Sequence, residues 1–332
     1  MAATLKDVAM RAGVSTSAVS RTFTDGASVS HKMRRKVEKA ANELGYRPNF
    51  LARSLTTRRT KLIGLVSNNF HNPIFLEVFD LFTRGLQDRG LRPLLVNLSK
   101  ETDPEHSVQM LRQYSVDGVV VASSTLPPAF SKAFRDKRIP VVNTFGRYSS
   151  SPEVHVVGID NVEAGRMAAR ELAERGYRQV GFLGGPETAT STQDRLKGFL
   201  EEIAQHPHVK VSYSYAEEYS FQAGRTEMLR LGKSLLAEAY FCGDDVLSIG
   251  VLSAVKDLGL SVPDDIGLIG FNDMEMSSWE NIALTTVHQP IRQIINSSVE
   301  LMEAMLDDPD RYPEARLFPC HVVERGTLRP RG

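Results

Sequence analysis

The stretch that decides the fold of the amino-terminal part is residues 5–23, LKDVAMRAGVSTSAVSRTF. In its first half, apolar residues recur at the spacing of one helix face: Leu5, Val8, Ala9 and Ala12. Gly13 breaks this pattern, and Ser15 is placed to cap a second helix. The residues predicted to face inward from the second helix are Val14, Ala18, Val19 and Phe23. Two short helices around a tight turn form a helix-turn-helix.

Four polar residues remain on the outer face of the second helix, near its N-terminus: Thr16, Ser17, Ser20 and Arg21. In a helix-turn-helix these positions meet base edges in the major groove. We therefore expect this face to read DNA. The alternative is a plain helical hairpin with a polar outer face, which the spacing alone would favour. The rest of the chain decides against that alternative.

The flanking sequence completes a three-helix head. Thr4 and Asp7 are spaced as a capping box for the first helix, and Asp25-Gly26 predicts a turn after the second. Ser30 is placed to cap a third helix over residues 31–44, which Gly45 ends. The predicted inward residues of this helix are Val37, Ala40, Ala41 and Leu44. So small a core predicts modest stability for the head alone.

The formal net charge of zero conceals a strong asymmetry. Residues 1–60 contain twelve Lys and Arg against four Asp and Glu, a net charge of +8. The remaining 28 basic and 36 acidic residues give a net charge of −8. A basic head on an acidic body is typical of a protein whose head alone binds a polyanion.

Residues 46–57, YRPNFLARSLTT, connect the head to the rest of the chain. Leu51 and Leu55 share one face of a possible helix, but a helix this short is marginal in water by itself. It could fold against its own copy in a second subunit, or in the minor groove, where Leu55 could wedge between base steps. A plain basic linker is the other interpretation.

From Lys61 onward, apolar runs alternate with helical patterns. We predict strands at residues 62–66, 94–97, 118–121, 141–144, 180–183, 239–242 and 266–271. We predict helices at residues 74–89, 104–113, 162–175, 194–203, 221–230, 246–258 and 291–306, and a closing strand near 317–323. This alternation is typical of α/β doubly wound parallel sheets. The predicted domains are a head (1–46), a linker (47–60) and a body (61–332).

The body is predicted to form two lobes. The N-lobe comprises about 61–160 plus 290–317, and the C-lobe about 161–289 plus 318–330, so the chain crosses back between them near its end. Ligands of such sheets bind beyond the carboxyl ends of the strands, so the cleft between the lobes is the predicted pocket.

Motifs of other protein classes are absent from the sequence. Nucleotide-binding glycine patterns and a nucleophile elbow are missing, which argues against an enzyme and against a bound cofactor. His206 and His208 lack the partners of a metal site. The two cysteines, Cys242 and Cys320, lie in apolar runs and favour a reducing compartment. Because neither an export signal nor a membrane-spanning run is found, we expect a cytoplasmic protein with no membrane partner.

Several segments together resemble the lactose-repressor and galactose-repressor family of bacterial transcription regulators. The resemblance runs from TLKDVAMRAGVSTSAVSR and VSHKMRRKVEKAANELGYRPNFLARSL through IGLV, GFLGGP and DRLKGF to DIGLIGFND and LTTVHQP. It implies an α/β body of two doubly wound parallel-sheet lobes, similar to periplasmic sugar-binding proteins, behind an all-α helix-turn-helix head. It also implies a homodimer on a pseudo-palindromic operator, with paired hinge helices in the minor groove.

The resemblance also implies roles for individual residues. For DNA it implies major-groove readout by Thr16, Ser17 and Arg21 and a minor-groove wedge by Leu55, and the predicted DNA contacts of the hinge also include Asn49 and Ala52. For a small-molecule effector it implies Arg195, Asp244, Asn272 and Tyr219 on one lobe, and Asn69, Phe70, Phe75 and Phe145 on the other. Many relatives carry Asn at the position of Asp244 and an acidic residue at that of Asn272, so the sequence does not specify the effector. Capping by Asp244 and an ion pair of Arg195 are the structural alternatives.

The expected function is a DNA-binding transcriptional regulator, a repressor, controlled by an effector in the interlobe cleft. Carboxylate, amide and guanidinium groups beside an aromatic face favour a sugar or sugar derivative. A purine or another metabolite is the alternative effector, and a sugar-binding transport protein is the weaker alternative function. The sequence leaves open whether the effector releases or promotes DNA binding. Because the leucine-rich tail of the tetrameric lactose repressor is absent, we expect a dimer.

Overall fold

The structure is a computed structural model that describes residues 3–24, 27–47, 59–98, 103–232 and 237–331. The chain divides into two compact units, Met1–Thr60 and Lys61–Gly332. We call them the head and the body and describe each by itself. Most of the linker and the turn at residues 25–26 lie outside the described residues.

Three helices form the described head: α1 (Leu5–Ala12), α2 (Thr16–Thr22) and α3 (His31–Glu43). The predicted capping box is present, because the Asp7 amide donates to Thr4 Oγ1 while the Thr4 amide donates to Asp7 Oδ2. Gly13 ends α1 with a φ of +58°, a left-handed conformation that glycine adopts without strain. Ser15 and Ser30 accept amide hydrogen bonds at the starts of α2 and α3, as predicted.

The core of the head consists of small side chains. Its buried apolar residues are Val8, Ala9, Ala12, Val19, Val37, Ala40 and Ala41. The prediction for Leu44 was wrong, because α3 ends at Glu43 and Leu44 is its exposed C-cap. Tyr46 packs against the core instead, with its ring 6.0 Å from that of Phe23. Short side chains let the three helices approach closely and leave the polar face of α2 outside.

The body contains the following elements in chain order: β1 (Leu62–Ser67), α4 (Ile74–Asp88), β2 (Arg92–Asn97), α5 (Pro104–Gln113), β3 (Gly118–Ala122), α6 (Pro128–Asp136), β4 (Val141–Thr144), β5 (His155–Gly158), α7 (Asn161–Glu174), β6 (Gln179–Gly184), α8 (Thr190–Ile203), β7 (Lys210–Tyr215), α9 (Phe221–Leu231), β8 (Ala239–Cys242), α10 (Asp245–Asp257), β9 (Gly267–Asn272), a 3-10 turn (Glu275–Ser278), β10 (Thr286–His288), α11 (Ile291–Asp307), β11 (Ala315–Leu317) and β12 (His321–Val323).

These strands form two six-stranded sheets, one in each lobe. The first lobe has the order β11-β5-β4-β3-β1-β2, and all its pairs are parallel. The second has the order β12-β10-β9-β8-β6-β7, in which only the β10–β12 pair is antiparallel. The predicted fold of two doubly wound parallel-sheet lobes is confirmed.

The prediction of one closing strand at residues 317–323 was wrong. The structure has two short strands there, β11 in the first sheet and β12 in the second. Pro319 lies between them and has no N–H to donate to a ladder, so one continuous strand is disfavoured. The chain therefore changes lobes between β11 and β12.

Close packing of α7 on α8 fixes the position of the side chains on α8. A Cβ added to Gly198 would lie 1.8 Å from the carbonyl oxygen of Val162, and one added to Gly165 would lie 2.1 Å from that of Arg195. Only glycine permits backbones to approach this closely. The backbone of Arg195, on α8, is thus held against α7.

The helices of the described residues are all too short or too polar to span a lipid bilayer.

Candidate nucleic-acid surface and ligand cleft

The outer face of α2 carries the four side chains predicted to read DNA. Thr16, Ser17, Ser20 and Arg21 are all exposed. Arg21 Nε lies 3.4 Å from the Ser17 carbonyl oxygen, and Ser17 Oγ lies 2.9 Å from Ser15 Oγ. The face therefore presents hydroxyl groups and one guanidinium. Asn49, Ala52 and Leu55 lie outside the described residues.

A cleft lies where the carboxyl ends of the two sheets of the body meet. Its walls enclose about 520 Å³ of space without protein atoms, including the open mouth. Seven of the eight predicted effector residues line it: Asn69, Phe75, Phe145, Arg195, Tyr219, Asp244 and Asn272. Phe70 is not among the lining residues, because its ring packs on Phe79 with the centroids 4.7 Å apart.

Asp244 is the buried acid of the cleft and joins the two lobes. Its Oδ2 accepts hydrogen bonds from Asn72 Nδ2 of the first lobe at 2.8 Å and from Asn272 Nδ2 of the second at 2.9 Å. Its Oδ1 accepts from the Val246 amide at 2.8 Å, so Asp244 also caps α10. Burial raises its pKa to about 6, although these hydrogen bonds and the charge of Arg195 limit the rise.

Arg195 is the buried cationic side chain of the cleft. Its Nε donates to Asn161 Oδ1 at 2.9 Å and its Nη1 to the Gly243 carbonyl oxygen at 2.6 Å, while the guanidinium lies 3.5 Å from the Phe271 ring centroid. Burial lowers its pKa, opposed by the nearby groups of the cleft. Among the described residues Arg195 forms no ion pair, so the ion-pair alternative is not realised.

Asp245, next to Asp244, holds the loop that follows β9. Its carboxylate accepts hydrogen bonds from the Thr286 hydroxyl at 2.6 Å, the Ser277 hydroxyl at 2.7 Å and the Met274 amide at 2.8 Å. Burial and the neighbouring charge of Asp244 raise its pKa, which these hydrogen bonds oppose. Asp245 does not line the cleft, so its role is to position the backbone beside Asn272.

The aromatic walls of the cleft are fixed by packing. The Tyr219 hydroxyl lies 2.7 Å from Thr192 Oγ1, and a Cβ added to Gly185 would lie 2.4 Å from the Tyr219 ring. On the other lobe, the Phe75 and Phe145 rings meet edge to face with centroids 6.5 Å apart. The cleft thus has rigid apolar faces on both sides of its polar groups.

Further hydrogen bonds cross between the lobes near the cleft. Arg147 of the first lobe forms an ion pair of 2.8 Å with Asp194 and donates to Gln193 Oε1 at 2.9 Å. Thr190 Oγ1 donates to the Ser124 carbonyl oxygen at 3.1 Å. Together with the Asn72–Asp244 bond, these contacts hold the lobes close to one another.

Sequence reasoning missed four polar residues of the cleft: Asn72, Ser124, Asn161 and Gln289. Each follows a strand of the parallel sheets, which is the one signal that could have indicated them. Their spacing along the chain follows no motif, because different strands contribute them.

Metal-ligating side chains are dispersed in the described part of the chain, where no group of three or more His, Cys, Asp or Glu could hold an ion. His206 and His208 pack edge to face, with ring centroids 6.1 Å apart. The sequence prediction of no metal and no cofactor stays a prediction.

Comparisons with known proteins agree with this architecture. The family model described as bacterial regulatory proteins, lacI family, matches residues 4–49, and that of a periplasmic binding protein-like domain matches residues 169–328. The HTH-type transcriptional repressor PurR of Escherichia coli O1:K1 / APEC is 34% identical, with 98% of this chain and 97% of that protein covered. The repressor CytR of Escherichia coli strain K12 is 29% identical, with 99% and 97% covered.

A solved structure shares the whole fold. The lac repressor dimer bound to operator and the anti-inducer ONPF superimposes with a TM-score of 0.88 at 24% identity, covering 99% of this chain and 100% of that one.

The raised pKa of Asp244 makes a prediction for stability. The carboxyl ionises near 3.8 when solvated and near 6 in the folded protein, so its ionisation opposes folding. The neutral carboxyl group therefore makes its full contribution to stability below pH 3.8, and this contribution is lost as the pH rises through about 6. We expect the native protein to lose about 1–3 kcal/mol of unfolding free energy relative to Asp244→Asn between about pH 4 and 6.5. Urea unfolding of both proteins across this range measures the difference. A pH-independent difference would contradict the burial of this carboxylate.

Proposed function

The chain belongs to the lacI family of bacterial regulatory proteins and is a transcriptional repressor rather than an enzyme; from this premise we propose how it binds DNA and what controls it. We propose that the head binds one half of a pseudo-palindromic operator through α2, that two copies act as a homodimer, and that a small effector binds in the interlobe cleft. Because its target is DNA, we expect it to act in the cytoplasm.

The observation that carries the DNA-binding proposal is the exposed polar face of α2 on a basic head. The buried side of α2 is occupied by packing, with Val19 and Thr22 buried, so Thr16, Ser17, Ser20 and Arg21 are available to a ligand. The net charge of +8 over residues 1–60 suits a polyanion. Arg21 is the side chain suited to bidentate recognition of guanine. The hinge contacts of Asn49, Ala52 and Leu55 remain part of the proposal.

The effector that the cleft favours is a neutral sugar or sugar derivative. The amide groups of Asn69, Asn72 and Asn272, the guanidinium of Arg195 and the carboxylate of Asp244 offer both donors and acceptors for neighbouring hydroxyl groups. Arg195 and Asp244 carry opposite charges, so a neutral ligand leaves the buried charge balanced. The aromatic rings of Phe75, Phe145 and Tyr219 suit the apolar face of a sugar ring.

Exposed apolar side chains support the homodimer. β2 and β7 are the edge strands on corresponding sides of the two sheets. Leu95 on β2 and Tyr213 on β7 are 51% and 57% exposed, and Leu76 on α4 is 76% exposed. Unpaired edge strands with apolar side chains are prone to association, which a second copy would satisfy.

The effector would act through the distance between the lobes. The hydrogen bond from Asn72 to Asp244 and the ion pair of Arg147 with Asp194 exist only while the lobes are close. A ligand shifts this equilibrium by its difference in affinity for the closed and open arrangements, and by no more than that.

The experiment that tests the proposed function is selection of DNA fragments. Sheared genomic DNA of the source organism is incubated with the purified protein at about 0.15 M salt, where nonspecific electrostatic binding is weak. We expect enrichment of fragments that share a pseudo-palindrome, and a change in that enrichment on adding a mixture of neutral sugars. Failure to enrich any sequence, with or without metabolites, would contradict the proposal. If the enrichment responds only to purines or other metabolites, the effector is one of these compounds and not a sugar.

Arg21→Ala should lower the affinity for the selected fragment by about 1–3 kcal/mol and relax preference at one base pair. Arg21→Lys keeps the charge but loses the planar guanidinium, so it should retain affinity for random duplex while losing specificity. Arg11→Ala, on α1 and paired with Glu43 at 2.8 Å, is the control for an exposed arginine. Fluorescence anisotropy on both duplexes measures the effect. Equal weakening of both duplexes by Arg21→Ala would show that Arg21 contacts phosphate instead.

Arg195→Met should abolish the response of operator binding to the effector. The variant keeps an apolar stem against Phe271 but removes the donors to Asn161 and the Gly243 carbonyl, which should also cost about 1–3 kcal/mol of stability. Lys197→Met, two residues away on α8 and exposed, is the matched control. Operator binding is measured against effector concentration at a temperature where thermal unfolding shows both variants folded. A normal response in Arg195→Met would place the effector elsewhere.

A further inference from the structure

The first lobe has a second cavity away from the cleft, at the amino ends of the strands. It encloses about 590 Å³, including its mouth, between the start of β4, the start of β5 and the end of α11. The cleft described above lies at the carboxyl ends of the same strands. The two cavities share no lining residue and so can be occupied independently.

Three arginines line this cavity: Arg135, Arg138 and Arg311. Arg135 is engaged, with an ion pair of 2.8 Å to Asp136 and a hydrogen bond to the Glu153 carbonyl oxygen at 2.9 Å. Arg138 forms no ion pair among the described residues. Its backbone is held at a φ of +58° just after α6, with its amide donating to the Arg135 carbonyl oxygen at 2.8 Å. Arg138 thus has a left-handed backbone conformation at the cavity, which glycine would adopt without strain.

The acidic groups near the cavity are largely neutralised. Glu153 is bound by Lys132 at 2.7 Å. Glu314 is bound by Arg316 at 2.6 Å, whereas Arg311 lies 3.4 Å from the same carboxylate. Asp310 is the remaining acidic group that lines the cavity, and it is exposed to solvent. The guanidinium groups of Arg138 and Arg311 are therefore weakly compensated.

Two buried N–H groups in the cavity wall lack a hydrogen-bond partner among the described residues. His155 is 2% exposed, and its Nδ1 accepts a hydrogen bond from the Glu314 amide at 3.2 Å. The neutral ring therefore carries its proton on Nε2, which has no partner, and Arg311 Nε has none either. Burial lowers the pKa of His155 and thereby favours the neutral ring. The charge of Glu314 and the Arg311 main chain oppose this shift. Buried donors without acceptors are uncommon in folded proteins, so an oxygen atom of a ligand would be favoured beside these two groups.

The rest of the wall is apolar and includes Ile139, Val154, Met305 and Pro309. A ligand that matches both the N–H donors and the apolar wall has an anionic group with several acceptor oxygens and a small organic part. A phosphate ester fits this description, since guanidinium groups bind phosphate through paired N–H donors.

We propose that this cavity binds a small phosphate ester, with its phosphate beside Arg138, Arg311 and His155 and its organic part on the apolar wall. Pro309, Asp310, Arg311 and Pro313 line one side of the cavity, and this segment leads into β11, after which the chain changes lobes. A ligand held there stabilises the end of α11 and the start of β11. The site is thus a second input to the body, independent of the interlobe cleft.

The test is binding of glycerol 3-phosphate to the full chain by isothermal titration calorimetry, with glycerol as the uncharged match. We expect saturable binding of the phosphate ester, no binding of glycerol, and at least tenfold weaker binding by Arg138→Ala. Arg138 is exposed, so this variant should fold. Arg112→Ala is the matched control, because Arg112 is an exposed arginine of the same lobe outside the cavity. His155→Gln should also weaken binding, with native-like unfolding checked by circular dichroism.

Three results would overturn the proposal. The first is no binding of glycerol 3-phosphate. The second is equal binding by Arg138→Ala and Arg112→Ala, which would place the anion elsewhere on the protein. The third is no ester binding combined with a weaker affinity of Arg138→Ala for random duplex DNA, which would assign this arginine to the DNA backbone. These outcomes do not depend on whether the chain represses transcription, so they are separable from a failure of the proposed function.

Discussion

Burial of the Asp244 carboxylate is the constraint on which the cleft depends. A desolvated carboxylate requires donors, and no single element of the second lobe supplies enough of them. The Val246 amide comes from α10, Asn272 from the end of β9, and Asn72 from the loop after β1 in the other lobe. Separation of the lobes would remove the Asn72 donor. The observed arrangement of the lobes is therefore coupled to the hydrogen bonding of one acid.

Adjacent carboxylates serve different purposes in this site. Asp245 is enclosed by donors from Thr286, Ser277 and Met274, which all belong to its own lobe. It holds the loop that presents Asn272, whose φ of +113° is sparsely populated for a residue other than glycine. Asp244 reaches across the cleft, while Asp245 keeps the geometry of one wall fixed. The backbone conformation of Asn272 is supported by the hydrogen bond from its side chain to Asp244 and by that from the Met274 amide to Asp245.

The sequence predicted the elements whose signals are local. Caps by Thr4, Ser15 and Ser30 and the apolar central strands follow from nearest neighbours, and the structure has them. β7 was missed because an edge strand alternates polar and aromatic residues and is mostly exposed. β10 and β11 are only three residues long, which periodicity does not resolve, and the four residues of β5 were missed as well. α6 was missed as well, although its proline at the first turn is a start signal.

The residues that line the cleft could be predicted only where the family resemblance implied them. Seven of the eight predicted effector residues line the cleft, but Asn72 and Asn161 do not follow from any local spacing. Each comes from a different strand end, and only the assembled sheets bring them together. Phe70 illustrates the converse, since this half-buried aromatic residue follows the lining residue Asn69 in the chain but packs on Phe79 outside the cleft.

The division between head and body follows from the same physical chemistry. The head buries mainly alanine and valine, so little apolar area stabilises it and its charges remain on the surface. The cleft of the body is instead lined by charged and amide groups, which are buried together with their hydrogen-bond partners at the ends of two large sheets. A polyanion can be bound by exposed charge on a marginal core, whereas a small ligand needs an enclosed site. The proposed recognition of DNA by the head and of an effector by the cleft therefore assigns each task to the unit whose size and composition suit it.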